Sequence, residues 1–405
     1  MTNPRRIIML NQMAGPLFRE LAEGLAPYFQ DGALLFTGHR DTLFYANDYN
    51  KKLIISPAPS YDRSSLLRRA ISWFRYLFAS SRLIISSRKS DLFLLVSNPP
   101  LLGTWFWMLN KIYKRPYAVL VYDIYPDVLV KMGFLGVNNP IVWLWNSTNK
   151  MVYKDARVVI TIGKHMARRL RSNCQGCNVD IEVISPWADI HSITPLSYQS
   201  NPLSQKFNPK RRSIVLYSGN MGKSHDIESM LEAVRSLSYR KDILFLFIGS
   251  GAFWQTALNF KNEHDLTNLD VYPFQAQDCL PYTMTLATLS LVALDEDIEE
   301  LMVPSKVFYY LAAGSAVIGV CKGENELRDI IEGADCGICI APRSSQQLAS
   351  EIVALIDDKK RTNRYRKNAR AVAVSSYSRE VGISKFISIF SKMGWIVLNA
   401  PKGNL

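Results

Sequence analysis

The sequence has few of the features that mark a secreted or fibrous protein. Six cysteines in 405 residues are too sparse for a disulfide framework, and 21 glycines and 19 prolines are too few for a disordered or collagen-like chain. The first residues, MTNPRRIIMLNQ, lack the apolar core and the small-residue cleavage site of a secretory signal. These absences predict a globular protein in a reducing, cytoplasmic setting.

Long apolar runs are also missing. The longest, Leu92 to Leu109, is interrupted by Asn98, Pro99, Pro100 and Gly103, and a bilayer-spanning helix needs about 20 mostly apolar residues. A strand, a Pro-Pro turn and a helix describe this run better. The sequence therefore predicts no transmembrane helix here.

Two C-x-x-C pairs raise the question of a zinc site. Cys174 and Cys177 form one pair, and Cys336 and Cys339 form the other. Zinc-ribbon pairs lie about 15 to 20 residues apart, whereas these two pairs are separated by well over a hundred residues. The second pair lies in ADCGICIAP, which is typical of a buried strand with cysteine as a small apolar residue. We therefore predict neither a metal site nor a cofactor.

Acidic residues are under-represented. The chain has 48 Lys and Arg against 35 Asp and Glu, a formal net charge of +13, which indicates an anionic partner or surface. No nucleic-acid-binding module is recognisable, so we expect no nucleic acid as partner. The excess of positive charge is concentrated between Tyr61 and Ser90. This segment contains one acid, Asp62, and seven bases: Arg63, Arg68, Arg69, Arg75, Arg82, Arg88 and Lys89.

The same segment predicts a basic amphipathic helix, because apolar residues recur at helical spacing. The stripe comprises Leu67, Ala70, Ile71, Phe74, Leu77 and Phe78. It can pack on the protein's own core or lie on an anionic membrane. We expect most of it to face the core, with Trp73, Tyr76 and the arginines free to touch lipid headgroups.

Apolar strands alternate with helical patterns almost throughout, as in doubly wound parallel sheets. The predicted strands include Leu92 to Val96 in the first half of the chain and Leu289 to Leu294 in the second. The pattern stops in a proline-rich stretch before Arg212 and restarts at Ser213. We therefore predict two α/β domains that follow one another in the chain. The predicted bounds are residues 1–190 for the first domain, 191–212 for a linker and 213–376 for the second domain, with a helix from about 377 to 405 crossing back to the first domain.

Ligands of open α/β sheets collect outside the carboxyl ends of the strands, and three unusual turns of the second domain lie there. One is YSGNMGKSHD, whose glycines let backbone N–H groups approach a ligand and whose Lys223 adds positive charge. A plain helix cap at Ser224 or Asp226 is the alternative. A second turn is IGSG, with Gly249 and Gly251.

The third turn, in VPSKVFYYLAAG, combines a Pro-Ser-Lys sequence with a short helix. Lys306 and the free N–H groups of a helix start favour an anion such as a diphosphate. The alternative is a surface loop that enters a core helix, since Phe308, Leu311 and Ala312 have the spacing of a buried stripe. In the first domain, Asp123 closes an apolar run and is predicted to face the ligand-binding edge, although Asp123 or Asp127 could instead cap the next helix.

Taken together, these motifs resemble a family-4 glycosyltransferase of the GT-B type, in the branch that builds bacterial exopolysaccharides and O-antigens. The resemblance covers nearly the whole chain. Its matching pieces are Arg19-Glu20-Leu21-Ala22, Thr37-Gly38, SNPPLLG, DIYPDVLVKMGFL, VISPWAD, YSGNMGKSHD and VPSKVFYYLAAG. It implies two Rossmann-like domains facing a central cleft, with the acceptor bound by the first domain and the donor by the second.

The resemblance also implies roles for individual residues. Asp123 and Lys306 would be catalytic, and Gly15 and Arg19 would contact the acceptor. The donor-binding set would be Gly219, Asn220, Gly222, Lys223, Gly249, Phe274, Pro304, Ser305 and Tyr309. Such enzymes retain the anomeric configuration and need no metal, because lysines and amides neutralise the departing diphosphate.

We therefore predict a glycosyltransferase that moves a hexosyl or N-acetylhexosaminyl group from a UDP-, GDP- or dTDP-sugar. The acceptor would be a polyprenyl-diphosphate-linked saccharide, and the enzyme would sit on the inner face of the plasma membrane. Three positions depart from the family pattern. Tyr309 stands where a ribose-binding Glu is expected, and Asn220 stands where a basic residue is often found. The glycine pair expected in the first domain is reduced to a single glycine, Gly15. A catalytically inactive member that binds sugar nucleotides in an assembly complex is the alternative.

Overall fold

The computed structural model describes residues 4–44, 52–62, 64–222, 226–294 and 298–396. Contacts between Cα atoms divide the chain into two compact units. Unit 1 comprises Met1–Ser185 and Glu380–Leu405, and unit 2 comprises Pro186–Arg379. Residues 186–212, which include the predicted linker, thus lie in unit 2. Within it, Asn201 donates a hydrogen bond to the Tyr282 carbonyl at 2.8 Å, and the rings of Phe207 and Tyr272 meet edge-on at 4.9 Å.

Unit 1 is built on a parallel sheet that has seven strands within the described residues, in the order β3-β2-β1-β4-β5-β6-β7. Most of its central strands are apolar runs that are buried on both faces, as parallel strands covered by helices must be. The strands are β1 (Arg6–Leu10), β2 (Ala33–Thr37), β3 (Leu53–Pro57), β4 (Asp91–Val96), β5 (Tyr117–Val121), β6 (Val158–Thr161) and β7 (Ile181–Val183).

Helices connect these strands, and a helix from the end of the chain joins them. The C-terminal helix Arg379–Lys392, α16 in chain order, places Ile383 against Gly24 of α1, where an added Cβ would lie 2.4 Å from the Ile383 side chain. The other helices of unit 1 are α1 (Pro16–Leu25), α2 (Arg40–Phe44), α3 (Leu66–Ser86), α4 (Leu102–Tyr113), α5 (Asp127–Lys131), α6 (Pro140–Asp155) and α7 (Lys164–Asn173).

Unit 2 repeats the design with a parallel sheet that has six strands in the described part of the chain, in the order β10-β9-β8-β11-β12-β13. Its strands are β8 (Ser213–Asn220), β9 (Ile243–Ser250), β10 (Leu269–Tyr272), β11 (Leu289–Ala293), β12 (Ala316–Val320) and β13 (Gly337–Ile340). Its helices are α8 (Ser204–Phe207), α9 (Ile227–Ser236), α10 (Trp254–Glu263), α11 (Leu280–Met284), α12 (Lys306–Ala312), α13 (Glu326–Gly333), α14 (Ser345–Asp357) and α15 (Lys359–Ser376).

Both sheets reverse their strand order at an internal pair of strands. In unit 1 the reversal lies between β1 and β4, and in unit 2 it lies between β8 and β11. Connections leave these neighbouring strands in opposite directions, which opens a crevice at their carboxyl ends. The prediction of two doubly wound parallel α/β sheets and a returning C-terminal helix is confirmed.

The orientation predicted for α3 was wrong. Its stripe was expected to face mainly the core, but Leu67, Phe74 and Phe78 are exposed by 72%, 54% and 62%, and of the stripe's large side chains only Leu77 is buried. The buried side is instead the one with Tyr76, which is 0% exposed and donates a hydrogen bond to the Phe36 carbonyl at 2.9 Å. Tyr76 is therefore not available to lipid headgroups.

Serines allow α3 to bury the side opposite to the predicted one, because their hydroxyls form hydrogen bonds within the helix. Ser72 and Ser80 donate hydrogen bonds to the carbonyls of Arg69 and Leu77, each at 2.7 Å, and both serines are buried. A small hydroxyl bonded to the preceding turn costs little to bury and lets the helix approach the sheet closely. Among the described residues, no helix is both long enough and apolar enough to span a bilayer.

Candidate functional site

The main candidate site is a cavity of about 490 Å³ in unit 2, at the reversal between β8 and β11. It lies at the carboxyl ends of these strands, because Ser218 and Gly219 from β8 and Leu294 after β11 line it. The other lining residues described are Asn220, Ile248, Phe274, Gln275, Ala276, Gln277, Leu280, Thr283, Met284, Met302, Val303, Pro304, Ser305, Lys306 and Tyr309. The size and position suit a small-molecule ligand.

The end of β8 requires glycine at two neighbouring points. Gly219 has a φ of +134°, a conformation that residues with a Cβ rarely adopt. Gly249 lies opposite it on β9, and a Cβ added there would be 1.8 Å from the Gly219 carbonyl oxygen. Gly249 does not itself line the cavity but allows β9 to approach the strand end that does.

Lys306, the first residue of α12, projects its ammonium toward this strand end. Its Nζ donates a hydrogen bond to the Tyr217 Oη at 2.9 Å and lies 4.0 Å from the centre of the Tyr217 ring. A Cβ at Gly219 would lie 3.3 Å from both Cε and Nζ of this lysine. Burial lowers the pKa of Lys306 from 10.5 to about 7, because desolvation disfavours the charged form.

Two tyrosines that the sequence reasoning missed hold this arrangement together. The Ser218 N–H donates to the Tyr310 Oη at 2.8 Å, and the Tyr310 hydroxyl donates to the Ser218 carbonyl at 3.2 Å. The Tyr217 hydroxyl donates to the Asn220 carbonyl at 2.8 Å. Tyr310 thus fixes α12 to β8, and Tyr217 supports the loop. Both residues lie inside motifs that we singled out, but motif position alone does not reveal which neighbour a buried hydroxyl meets.

The remaining predicted donor residues are divided by the structure. Phe274, Pro304, Ser305 and Tyr309 line the cavity together with Asn220, and Phe274 is 56% exposed. Gly222 follows β8 but is not among the lining residues described. Lys223 and Ser224 lie outside the described residues.

The helix-cap alternative for the turn after β8 also has structural support. Asp226 accepts a hydrogen bond from the Ser229 N–H at 3.2 Å at the start of α9. Its second carboxylate oxygen accepts from the Arg343 N–H at 2.6 Å. Asp226 therefore caps a helix and anchors a neighbouring loop.

In unit 1, Asp123 follows β5 at the carboxyl edge of the sheet. Its backbone N–H donates to the Ser97 Oγ at 3.2 Å, and its carboxylate is not the cap of α5, which begins after Pro126 without a side-chain cap. Burial raises the pKa of Asp123 from 3.8 to about 6. Asp127, by contrast, forms an ion pair with Arg169 at 2.7 Å and serves to attach α5 to α7.

The predicted acceptor residues lie on α1 of unit 1. Gly15 is the residue before the helix, with Pro16 at its first position, and a Cβ at Gly15 would meet nothing within 4 Å. Arg19 forms an ion pair with Glu23 at 3.5 Å, one turn further along. Backbone geometry therefore does not require the glycine at this position.

Comparison with known proteins identifies the domain that holds the cavity. Residues 201–372 match the family model described as glycosyl transferases group 1. The chain contains a glycosyl transferases group 1 domain. This group 1 domain spans the whole cavity lining, from Ser218 to Tyr309.

Curated relatives carry related names. The chain is 24% identical over 331 residues to a probable glycosyltransferase, WbjE, of Pseudomonas aeruginosa, with 81% of each chain covered. It is 26% identical over 145 residues to a putative colanic acid biosynthesis glycosyl transferase, WcaI, of Escherichia coli, covering 36% of this chain and 35% of the relative. With the group 1 domain, these similarities support a glycosyltransferase.

Solved structures share the fold over nearly the whole chain. Sucrose-phosphate synthase from Thermosynechococcus elongatus aligns with a TM-score of 0.75 at 15% identity, covering 96% of this chain and 98% of that one. HepE of Anabaena in complex with UDP-glucose aligns with a TM-score of 0.71 at 15% identity, covering 96% and 99%. The fold of the chain is thus of the GT-B type.

Proposed function

We propose that the protein is a glycosyltransferase that takes its sugar from a nucleotide diphosphate sugar bound in the cavity of unit 2. The observation that carries this proposal is Lys306, a half-buried lysine whose Nζ faces the Gly219 strand end in a group 1 domain. The negative charge of a diphosphate placed there would compensate the positive charge of the desolvated ammonium. The ammonium, in turn, would hold the phosphate groups in a fixed position. HepE, a structural neighbour, binds UDP-glucose.

The lining of the cavity suits the other parts of such a donor. Phe274 offers an exposed aromatic face on which a nucleobase can stack, and Gln275 and Gln277 beside it offer amide groups. Tyr309 provides a hydroxyl where a ribose can bind, although a phenol cannot accept hydrogen bonds from two ribose hydroxyls as a carboxylate does. We propose a UDP-, GDP- or dTDP-sugar as the donor.

In the proposed reaction, the bond between the anomeric carbon and the diphosphate oxygen breaks as an acceptor oxygen bonds to the same carbon from the same face. The acceptor proton passes to the departing phosphate. The configuration is retained because the new bond forms on the face that the diphosphate leaves. Lys306 in its charged form stabilises the negative charge that develops on the leaving diphosphate, so no metal is needed for this role. Asp123, as a carboxylate, would stabilise the positive charge that develops on the sugar. These details follow the resemblance to family 4.

We further propose that the acceptor is a lipid-linked saccharide in cell-surface polysaccharide synthesis, bound by unit 1 near Gly15 and Arg19. The support is the colanic acid name of WcaI and the basic excess of the chain, which suits an acceptor anchored through a diphosphate. The transferred group would be a hexosyl or N-acetylhexosaminyl residue.

A panel of UDP-, GDP- and dTDP-sugars tests the proposal. Binding is measured by calorimetry, and transfer is measured with a polyprenyl-diphosphate-linked saccharide. We expect the sugars of one nucleotide class to bind and to serve as donors for transfer. Lys306→Met should lose both donor binding and transfer. The matched control is Lys360→Met, an exposed lysine of α15. Absence of binding and hydrolysis for every member would contradict the proposal, and binding without turnover would support the inactive alternative.

A further inference from the structure

The outer side of unit 1 exposes far more apolar surface than a water-facing helix layer needs. Helices α3, α4 and α6 cover one side of the sheet as a continuous layer. Trp105 of α4 donates a hydrogen bond to Ser81 of α3 at 2.9 Å, and Thr104 of α4 donates to Thr148 of α6 at 3.3 Å. The outward surface of this layer is here called the α3–α4–α6 face.

Large apolar side chains are exposed on all three helices, and on α3 and α4 they recur at the i+3, i+4 and i+7 spacing of a single helix side. Their exposed fractions range from 48% to 76%, so they point away from the protein rather than into a shared core. They are Leu67, Ile71, Phe74, Phe78 and Ile85 on α3, Met108 and Ile112 on α4, and Ile141, Trp143, Leu144 and Met151 on α6. Single exposed apolar residues are ordinary on a soluble protein, but a contiguous patch of this kind indicates an interaction surface.

The charge around the patch is mainly positive. Residues 64–155 contain four acids, of which Asp91 and Asp127 are buried in ion pairs and Asp123 is half-buried at the strand edge. The fourth, Asp155 at the end of α6, is exposed and forms an ion pair with Lys111 at 2.7 Å. The exposed bases in the same stretch include Arg68, Arg75, Arg82, Lys111, Lys114 and Lys131. Exposed bases thus outnumber exposed acids around the apolar rows.

A basic cleft continues the face at the ends of its helices. Its volume is about 590 Å³, and its lining includes five bases and one acid, Asp155, which forms an ion pair with Lys111. The bases are Lys89, Lys111, Lys114, Lys154 and Arg157. Lys111 belongs to both regions, because it lies between Met108 and Ile112 on α4 and also lines the cleft. Apolar surface and anion-attracting surface are therefore adjacent.

We propose that the α3–α4–α6 face docks on a bilayer that contains anionic phospholipid. Phenylalanine, tryptophan and leucine side chains would enter the boundary between headgroups and acyl chains, and the arginines would bind lipid phosphates. A second copy of the chain fits less well. Pairing this face with itself would bring Arg68, Arg75 and Arg82 against their own copies without acids to compensate them.

The proposal is independent of the donor cavity, which lies in unit 2, so either can fail without the other. Vesicle sedimentation tests it, with vesicles of equal phosphatidylglycerol and phosphatidylcholine compared with phosphatidylcholine alone. We expect the wild-type protein to bind the anionic vesicles, and the double variant F74S/F78S to bind at least about tenfold more weakly. The matched control is Y239S/V374S, which removes two exposed apolar side chains of unit 2.

The charge contribution is tested with two triple variants that have the same net charge as each other. The triple variant R68Q/R75Q/R82Q should bind anionic vesicles on the order of 100-fold more weakly, since each basic residue near the surface contributes about fivefold. The triple variant K359Q/K360Q/K367Q loses the same charge from the exposed side of α15 and should bind as the wild type does. Trp143→Phe should also reduce the quenching of tryptophan fluorescence by brominated lipid.

Three results would overturn the proposal. The wild-type protein could stay in the supernatant with both vesicle types, or F74S/F78S could bind as tightly as wild type. The third result would be a dimer in solution that the F74S/F78S variant no longer forms, together with no binding of the wild-type protein to vesicles. Circular dichroism and thermal unfolding of each variant, measured in parallel, establish that the substituted proteins are folded.

Discussion

The Nζ of Lys306 donates a hydrogen bond to the Oη of Tyr217 at 2.9 Å and lies over the same ring, 4.0 Å from its centre. A neutral phenol and its ring orient the ammonium but do not neutralise it as a carboxylate would. Partial burial of this group lowers its pKa to about 7 and therefore costs stability while the lysine is charged. Such a cost is typical of a site whose ligand supplies the missing charge.

Lys306→Met should make the ligand-free protein more stable and the donor weaker. The pKa of Lys306 is about 7 in the folded protein and 10.5 in the unfolded chain, so the unfolded state binds more protons between these values. Stability contributed by this group is thus lowest below pH 7 and rises with pH. Methionine removes the buried charge and should increase the unfolding free energy by on the order of 1 kcal/mol at pH 6.5.

Thermal unfolding with and without UDP-glucose measures both effects. The melting temperature of Lys306→Met should exceed that of the wild type without ligand, and saturating UDP-glucose should raise it much less. Lys360→Met on α15 should change neither value. A variant that is less stable, or that UDP-glucose stabilises as much as the wild type, would show that Lys306 has another role.

Donor binding should take up a proton above pH 7. In the free protein Lys306 loses its charge as the pH rises through about 7, and a bound diphosphate favours the charged form. The affinity for UDP-glucose should be constant below pH 6.5 and should fall by up to about tenfold per pH unit above 7.5. Calorimetry in two buffers of different ionisation enthalpy counts the protons. Proton release, or an affinity that is constant to pH 8.5, would contradict this assignment.

Gly249→Ala should damage the donor site although Gly249 does not line it. An added Cβ would lie 1.8 Å from the Gly219 carbonyl oxygen, so β8 or β9 must move. We expect a loss of more than about 2 kcal/mol in stability and at least tenfold weaker binding of UDP-glucose. Gly333→Ala, at a helical position where nothing lies within 4 Å, serves as the control and should be neutral or slightly stabilising. Normal donor affinity in Gly249→Ala would mean that the strand end does not position the donor.

Asp123→Asn should lower kcat about 100-fold or more, and the fall of kcat at low pH should be absent from the variant's pH profile. Because burial raises the pKa of Asp123 to about 6, wild-type turnover should fall as the pH drops through 6 and the carboxylate takes up a proton. Asparagine keeps the size but carries no charge at any pH. The pH profile of kcat from pH 5 to 8 is the measurement, with Asp180→Asn, at an exposed position of unit 1, as control. If Asp123→Asn keeps the wild-type kcat and profile, Asp123 has no catalytic role.

The strands of both sheets could be predicted from the sequence, because strands buried on both faces are apolar runs that need no partner to be recognised. The predicted run Leu92 to Val96 corresponds to β4 (Asp91–Val96), and Leu289 to Leu294 corresponds to β11 (Leu289–Ala293). The position of Lys306 at a helix start near the carboxyl ends of the strands could also be predicted, from its Pro-Ser-Lys motif. Its contact with Tyr217 did not, since that residue is distant in sequence and the contact depends on how α12 packs on β8.

The direction of α3 could not be predicted, for a different reason. Periodicity shows that an apolar stripe exists but does not show which side of the helix meets the sheet. The burying side contains Ser72, Ser80 and Ser87, which count as polar in any hydropathy pattern yet satisfy their hydroxyls within the helix. Exposure of the apolar stripe thus became visible only in the folded chain.

A crystal structure of the protein with UDP-glucose tests the central claim most directly. We predict that the diphosphate lies in the cavity of unit 2, with a phosphate oxygen within about 3 Å of the Lys306 Nζ and others near the Gly219 strand end. The nucleobase should lie against Phe274. A diphosphate bound elsewhere, or a Lys306 ammonium that stays on Tyr217 without touching the phosphates, would contradict the account.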